Sequence, residues 1–148
     1  MIIQFKFKIS TVFDTWPCEE IIVAGTDVKA KYEYFLKFKH RFLTMNAHEF
    51  MKFVKCENLG VHSITPSPRN KVAFRRMCKK RKIDFVYVGM RVEVVGRMGT
   101  IIGNCKNNLL VIFDGDVHGC DCDPRFEIAY FDKDEQIIKD TRKGVYAV

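Results

Sequence analysis

The sequence predicts an α+β protein: a small N-terminal ββααβ unit, a basic linker helix and a small C-terminal β-barrel. The first 64 residues combine alternating and helical apolar patterns. Two prolines, Pro66 and Pro68, then mark a joint, and short apolar runs between turn residues fill the chain beyond Ile83. We therefore expect three parts, at residues 1–64, 65–84 and 85–148.

Three strands are predicted in the N-terminal unit. From Ile2 to Ile9 every second residue is apolar, which is typical of a strand with one buried face. A second short apolar run covers residues 20–24 and ends at Gly25, where a turn is favoured. Residues 60–64 complete the unit as a closing strand.

Two helices are predicted between the second and third strands. Ala30, Tyr34 and Phe38 recur at four-residue spacing and predict a helix over 27–38. Asn46 precedes Glu49 by three residues, in the manner of a capping box, and predicts the start of a short second helix.

Positive charge is concentrated in one segment. The chain has a net charge of +7, yet residues 1–68 contribute only +2 and residues 83–148 contribute −3. Residues 69–82 hold eight Lys or Arg and no acidic residue. A single concentrated block of this kind indicates a surface with a partner.

The basic segment is predicted to be an amphipathic helix over 70–82. At about 100° per residue, Ala73, Phe74, Met77 and Cys78 fall on one arc. Val72 and Arg81 do not fit the pattern. The opposite arc holds the candidate binding residues: Arg69, Lys71, Arg75, Arg76, Lys79, Lys80 and Lys82.

Three interpretations of this basic helix are open. Phosphate backbones of nucleic acid would neutralise it without sequence preference, since no base-reading motif is present. An acidic protein surface would also fit. A helix that is merely solvated would be expected to mix charge signs and gain i,i+4 pairs, which this one does not do. The apolar arc is too narrow for a membrane-surface helix.

Five short strands are predicted in the C-terminal part, as expected for a small barrel. The apolar runs are separated by glycine, asparagine and aspartate, and Asp114-Gly115 is a hairpin signal leading into Val117-His118. The other four strands are expected within residues 88–95, 100–103, 109–113 and 125–131, the last with Phe126, Ile128 and Tyr130 on one face.

The barrel residues resemble a known fold. Gly89-x-Arg91-Val92-x-Val94, Gly99-Thr100-Ile101 and Val111-x-Phe113-Asp114-Gly115 are similar to SH3-like barrels of the KOW, CAP-Gly and Tudor type, over about residues 85–132. That resemblance implies a binding module without catalytic activity. The CAP-Gly groove motif is missing, and no Tudor-type aromatic cage can be assigned.

A second resemblance concerns origin. A Cys-Asp-Pro sequence ahead of a closing strand that ends in Tyr130-Phe131-Asp132 resembles small uncharacterised proteins of tailed bacteriophages. It implies a phage-encoded accessory protein that acts in the host cytoplasm. The first eight residues lack the features of a signal peptide, and no run of 18 apolar residues is present, so we expect neither export nor a membrane span.

No catalytic site, cofactor or metal is predicted. Phosphate-binding, dinucleotide-binding and nucleophile-elbow motifs are absent from the sequence. His118, Cys120 and Cys122 could hold zinc, but the usual CxxC spacing is missing and idle thiols are favoured. The neighbouring aspartates do not have the spacing of a calcium-binding EF-hand. All six cysteines are expected to be free thiols.

Two functions follow as hypotheses. The first is an accessory protein that binds the nucleic-acid backbone through the basic helix. The second is a structural, assembly or host-factor-inhibiting protein that docks on an acidic protein surface. Affinity measured across a salt series would separate them.

Overall fold

The computed structural model describes residues 1–11, 19–41 and 44–144. This part of the chain is mixed α+β, as predicted. The strands are β1 (Ile2–Thr11), β2 (Glu19–Ala24), β3 (Val54–Thr65), β4 (Arg91–Val94), β5 (Arg97–Cys105), β6 (Asn108–Phe113), β7 (Cys120–Cys122), β8 (Ile128–Phe131) and β9 (Ile137–Asp140). The helices are α1 (Asp27–Phe38), α2 (Ala47–Met51) and α3 (Pro68–Arg81), with a 3-10 turn at Lys39–Arg41.

Contacts divide the chain into two compact units. The N-terminal unit lies within Ile3–Ser63. The C-terminal unit begins at Ile64 and also includes Met1 and Ile2. The basic helix α3 therefore belongs to the same unit as the strands that follow it.

The N-terminal unit is built on a three-stranded sheet in the order β2-β1-β3. β1 and β2 are antiparallel, with Phe5 opposite Ala24 and Phe7 opposite Ile22. Phe5, Phe7 and Ile9 are all buried, so the alternation in the sequence identified the inner face of β1.

Side-chain caps set the starts of the two helices in this unit. The Thr26 hydroxyl accepts a hydrogen bond from the Lys29 backbone N–H at 3.1 Å, ahead of α1. Asn46 accepts one from the Glu49 N–H at 2.9 Å, which confirms the predicted cap of α2. The rings of Tyr34 and Phe50, one from each helix, stack with centroids 5.9 Å apart.

The C-terminal unit contains a six-stranded antiparallel sheet in the order β7-β6-β5-β4-β8-β9. Within the described residues, the edge strands β7 and β9 do not pair, so hydrogen bonding does not close this sheet into a barrel. A register shift between Ile101 and Gly103 interrupts the pairing of β5 with β6. Such a bulge bends a strand and increases its twist.

The core of the C-terminal unit combines the helix with the sheet. Phe74, Met77 and Cys78 of α3 are buried in it. They join a cluster from the following turn and the strands that includes Ile83, Val86, Met90, Val92, Ile101, Leu109, Val111, Ile128 and Tyr130. Helix α3 is thus fixed to the sheet through one apolar face.

Several predicted boundaries differ from the structure. The strand expected from residue 88 begins at Arg91, because Gly89 has a φ of 100° and the Met90 N–H donates to the Tyr87 carbonyl in a turn. The strand expected at Val117-His118 lies instead at β7. Strand β9 was not predicted, and β3 begins six residues before the predicted start at residue 60.

One predicted strand residue differs from its neighbours. Phe126 was expected to share one strand face with Ile128 and Tyr130, which are buried, but its side chain is 63% exposed. It precedes β8, and Glu127 between them has a φ of 47°, so the strand alternation does not extend back to Phe126.

Candidate nucleic-acid interface

Helix α3 begins at a well-formed cap. The Ser67 hydroxyl accepts a hydrogen bond from the Asn70 N–H at 3.2 Å, and Pro68 occupies the first turn, where a missing N–H costs nothing. The predicted helix over 70–82 agrees with Pro68–Arg81 to within two residues.

The helix ends at a lysine in the left-handed region. Lys82 has a φ of 58°, and its N–H donates to the Lys79 carbonyl at 3.3 Å. The Ile83 N–H donates to the Cys78 carbonyl at 2.9 Å, which completes a Schellman motif. The buried Ile83 side chain then anchors the chain in the core.

Seven basic side chains on α3 and at its end are exposed. We call them the cationic face: Arg69, Lys71, Arg75, Arg76, Lys79, Lys80 and Lys82. Within the described residues, none of them forms an ion pair with a carboxylate. Arg75 does reach Asp84, but it donates to the backbone carbonyl at 3.4 Å and not to the carboxylate.

The eighth basic residue of the segment, Arg81, forms an ion pair within the protein. Arg81 lies on the side of α3 that faces the sheet, and its Nη2 is 2.8 Å from Oδ1 of Asp123. Its Nη1 donates to the Asn107 carbonyl and to Oδ1 of Asn108, both at 3.2 Å. Arg81 is therefore neutralised within the protein, which explains why it did not fit the amphipathic pattern.

Two further residues of α3 depart from the expected pattern. Val72 is 58% exposed, in the middle of the cationic face. Ala73, placed on the apolar arc by the sequence pattern, is also exposed. It lies at the edge of that arc, where a small side chain does not reach the core.

Like charges repel each other along the cationic face. Lys71 and Arg75, Arg75 and Lys79, and Arg76 and Lys80 are i,i+4 pairs of the same sign. Each such pair destabilises a helix by a few tenths of a kcal/mol. Cations in the last turn gain from the helix dipole, but Arg69 and Lys71 in the first turn oppose it. The helix itself offers no compensation for these first-turn charges.

The acidic loops of the C-terminal unit are occupied by other arginines. Arg91 donates to both carboxylate oxygens of Asp114, at 2.7 and 2.6 Å. Arg97 lies 3.1 Å from Asp116, and Asp123 pairs with Arg81. These loop carboxylates are therefore engaged away from the seven residues of the cationic face.

The zinc candidates do not form a cluster. Cys120 is exposed and Cys122 is buried, although both lie on β7. No group of three or more His, Cys, Asp or Glu in the described ranges is close enough together to hold a metal ion. Burial raises the pKa of the Cys122 thiol to about 11, with the neighbouring Cys120 and Asp121 adding to the shift.

The described cysteines are free, and the aromatic residues of the sheet are partly or fully buried. Cys56, Cys78, Cys105, Cys120 and Cys122 are free thiols, and Cys18 lies outside the described residues. Burial raises the pKa of both Cys56 and Cys78. Of the three aromatic residues that an aromatic cage would need to draw on, Phe113 and Tyr130 are core residues and Phe131 is half-buried.

Comparison with known proteins leaves the site to be interpreted from its own geometry. No protein-family model, curated protein or solved structure matches this chain. Among the described residues, no helix combines the length and the apolar character that crossing a membrane requires.

Sequence reasoning missed one cation beside the helix. Lys106, in the turn between β5 and β6, lines a groove with Arg76 and Lys80. It is an isolated lysine in an acidic part of the sequence, so no charge run indicated it. Only the packing of α3 on the sheet places it next to the basic segment.

Proposed function

We propose that this chain is a non-catalytic nucleic-acid-binding protein that contacts the phosphate backbone through the cationic face of α3. The observation that carries the proposal is that seven exposed cations have no carboxylate partner among the described residues. A polyanion would relieve their mutual repulsion, and the displaced counterions would add a favourable, salt-dependent term.

Phosphate contacts of this kind position a protein but carry no sequence information. The seven residues of the face carry no carboxylate and no aromatic ring, and the exposed side chains of Val72 and Ala73 beside them are small and apolar. We therefore expect affinity to depend on the length and charge of the nucleic acid and not on its base sequence.

We also propose that the sheet of the C-terminal unit is an SH3-like module that is open between its edge strands. Its support is the antiparallel order from β7 to β8 and the bulge in β5. Gly99, part of the sequence that resembles these barrels, allows β5 to lie close to β6, because a Cβ atom there would lie 2.7 Å from Cγ1 of Val111. In this reading the sheet is the scaffold that presents α3.

An acidic protein surface is the alternative partner. It would satisfy the same seven charges, and such a protein would serve in assembly or as an inhibitor of a host factor. Nucleic acid is favoured because the cations extend over the whole length of α3, from Arg69 to Lys82, with no interruption by an acidic or amide side chain after Asn70. A regular phosphate backbone matches such an extended row.

Fluorescence anisotropy with labelled oligonucleotides across a salt series tests the proposal. We expect log affinity to fall linearly with log salt, by about 0.7 to 0.9 for each phosphate neutralised. Changing Arg75, Arg76, Lys79 and Lys80 together to Glu should abolish binding at moderate salt. Changing the four to Gln should reduce the salt slope by about 3.

A matched control distinguishes the effect of the cationic face on binding from the effect of net charge. Lys6, Lys29, Lys52 and Lys55 are exposed lysines of the N-terminal unit, and changing all four to Glu removes the same charge. This control should retain most of the binding. Absence of binding by the unaltered protein at low salt, together with tight binding to polyglutamate, would favour the acidic protein partner instead.

A further inference from the structure

A groove runs between α3 and the turn that joins β5 to β6. Ala73 and Met77 are among its lining residues, and its cavity volume is about 260 Å³. Arg76 and Lys80 line it from the helix, and Lys106 lines it from the turn. No acidic side chain is among its described lining residues. The groove therefore has cations on both walls.

A second groove on the other side of α3 provides a comparison. It is lined by Pro66, Lys71, Phe74, Arg75 and Val88, and its cavity volume is about 340 Å³. Its two cations both come from the helix. Of these two grooves, the one at Lys106 has cations from two separate elements among its described lining residues.

The turn that carries Lys106 is held in place. Arg81 donates to the Asn107 carbonyl and to Asn108, and so ties α3 to the turn. The Asn104 side chain donates to the Lys106 carbonyl at 2.9 Å. The spacing of the two walls is thus fixed before any ligand binds, and a preformed site loses less entropy on binding.

Resting on the proposed function, we propose that this groove holds one strand of nucleic acid, so that the preferred ligand is single-stranded. A duplex holds each backbone against a second strand, so we expect it to reach the groove from one side only. A single strand can enter between Lys106 and the pair formed by Arg76 and Lys80. No aromatic ring is among the lining residues that the structure describes, so we expect contacts to phosphates and no preference for a particular base.

The test compares a single-stranded oligonucleotide with a duplex of the same length, using the full chain. The key variant is Lys106→Asn, because asparagine tolerates the left-handed φ of 54° at this turn and removes one charge. We expect its affinity for the single strand to fall about two- to fivefold, the range for one exposed charge pair. Affinity for the duplex should be unchanged.

The control is Lys133→Asn, an exposed lysine outside both grooves that gives the same change in net charge. It should bind both ligands as the unaltered protein does. Lys80→Gln, on the opposite wall, should reproduce the loss for the single strand, which guards against a folding defect confined to the turn. A thermal melt of each variant checks that it is folded.

Each contrary outcome has a distinct meaning. Tighter binding of the duplex, or equal effects of Lys106→Asn and Lys133→Asn, would overturn the groove proposal while leaving binding by the cationic face intact. Binding of neither oligonucleotide would overturn the proposed function, and the groove proposal with it.

Discussion

Arg81 and Asp123 form an ion pair, 2.8 Å between Nη2 and Oδ1, that fixes the end of the basic helix to the sheet. Asp123 also accepts a hydrogen bond from the Arg125 N–H at 2.8 Å. The two terminal guanidinium nitrogens of Arg81 donate hydrogen bonds to three partners on two different loops. One basic residue of the segment is thus structural, and the other seven are exposed and form no ion pair with a carboxylate within the described residues.

Replacing Arg81 should therefore destabilise the protein more than replacing a residue of the cationic face. We expect Arg81→Ala to lower the free energy of unfolding by about 1–2 kcal/mol, since hydrogen bonds from a charged group are lost and Asp123 is half exposed. Urea unfolding followed by circular dichroism measures this change. Lys80→Ala is the matched control and should change stability by less than about 0.5 kcal/mol.

A double-mutant cycle makes the prediction specific to the pair. If the two side chains interact, Asp123→Asn should cost less in the Arg81→Ala background than in the unaltered protein. Additive effects of the two changes would contradict a stabilising contact between them.

The buried Arg142 gives the stability a dependence on acidic pH. Its side chain is 3% exposed and contacts Asp140 at 2.7 Å and Glu93 at 3.1 Å. The hydrogen bond from Arg142 lowers the pKa of Asp140 from 3.8 to about 2. Because the folded pKa lies below the unfolded one, this contribution is present above about pH 4 and disappears as the pH falls toward 2.

The urea midpoint measured between pH 5 and pH 2 should show this loss. Asp140→Asn should be less stable near neutral pH and should decline less steeply in that window. Asp134→Asn, at an exposed aspartate of the preceding turn, serves as control and should keep the steeper decline. An identical pH profile for both variants would contradict the assignment to Asp140.

The Tyr130 hydroxyl links β8 to the turn that precedes this strand. The ring is fully buried, and the hydroxyl donates to the Pro124 carbonyl at 2.6 Å. Burial raises the pKa of Tyr130 well above its usual range. Tyr130→Phe keeps the ring but leaves the Pro124 carbonyl without this donor, so we expect a loss of about 1–3 kcal/mol.

Thermal and urea unfolding of Tyr130→Phe measure this loss. Tyr87→Phe is the matched control, since that ring is only half-buried, and it should change stability by less than about 0.5 kcal/mol. Comparable effects of the two substitutions would show that the buried hydrogen bond contributes nothing.

Much of the fold was readable from local patterns. The alternation in β1, the spacing in α1 and the cap at Asn46 are properties of neighbouring residues, and these three elements lie where the pattern placed them. The helical wheel placed the seven residues of the cationic face together on one side of α3. This assignment needs only the helical period of the segment itself.

What the sequence did not reveal depends on contacts between distant segments. The pairing of Arg81 with Asp123 spans 42 residues, and Lys106 joins the groove only because the turn after β5 packs beside α3. Strand β9 carries Ile137 and Ile138 side by side, both exposed, and so lacks the alternation that marks a strand.

At Lys82, a substitution that stabilises the end of α3 would also remove a charge from the cationic face. Lys82 has a left-handed backbone conformation, which glycine adopts without steric cost and lysine does not. Exchanging Lys82 for glycine would relax the backbone and, at the same moment, delete one of the seven charges. This substitution would therefore stabilise the end of the helix and weaken the nucleic-acid binding that we propose.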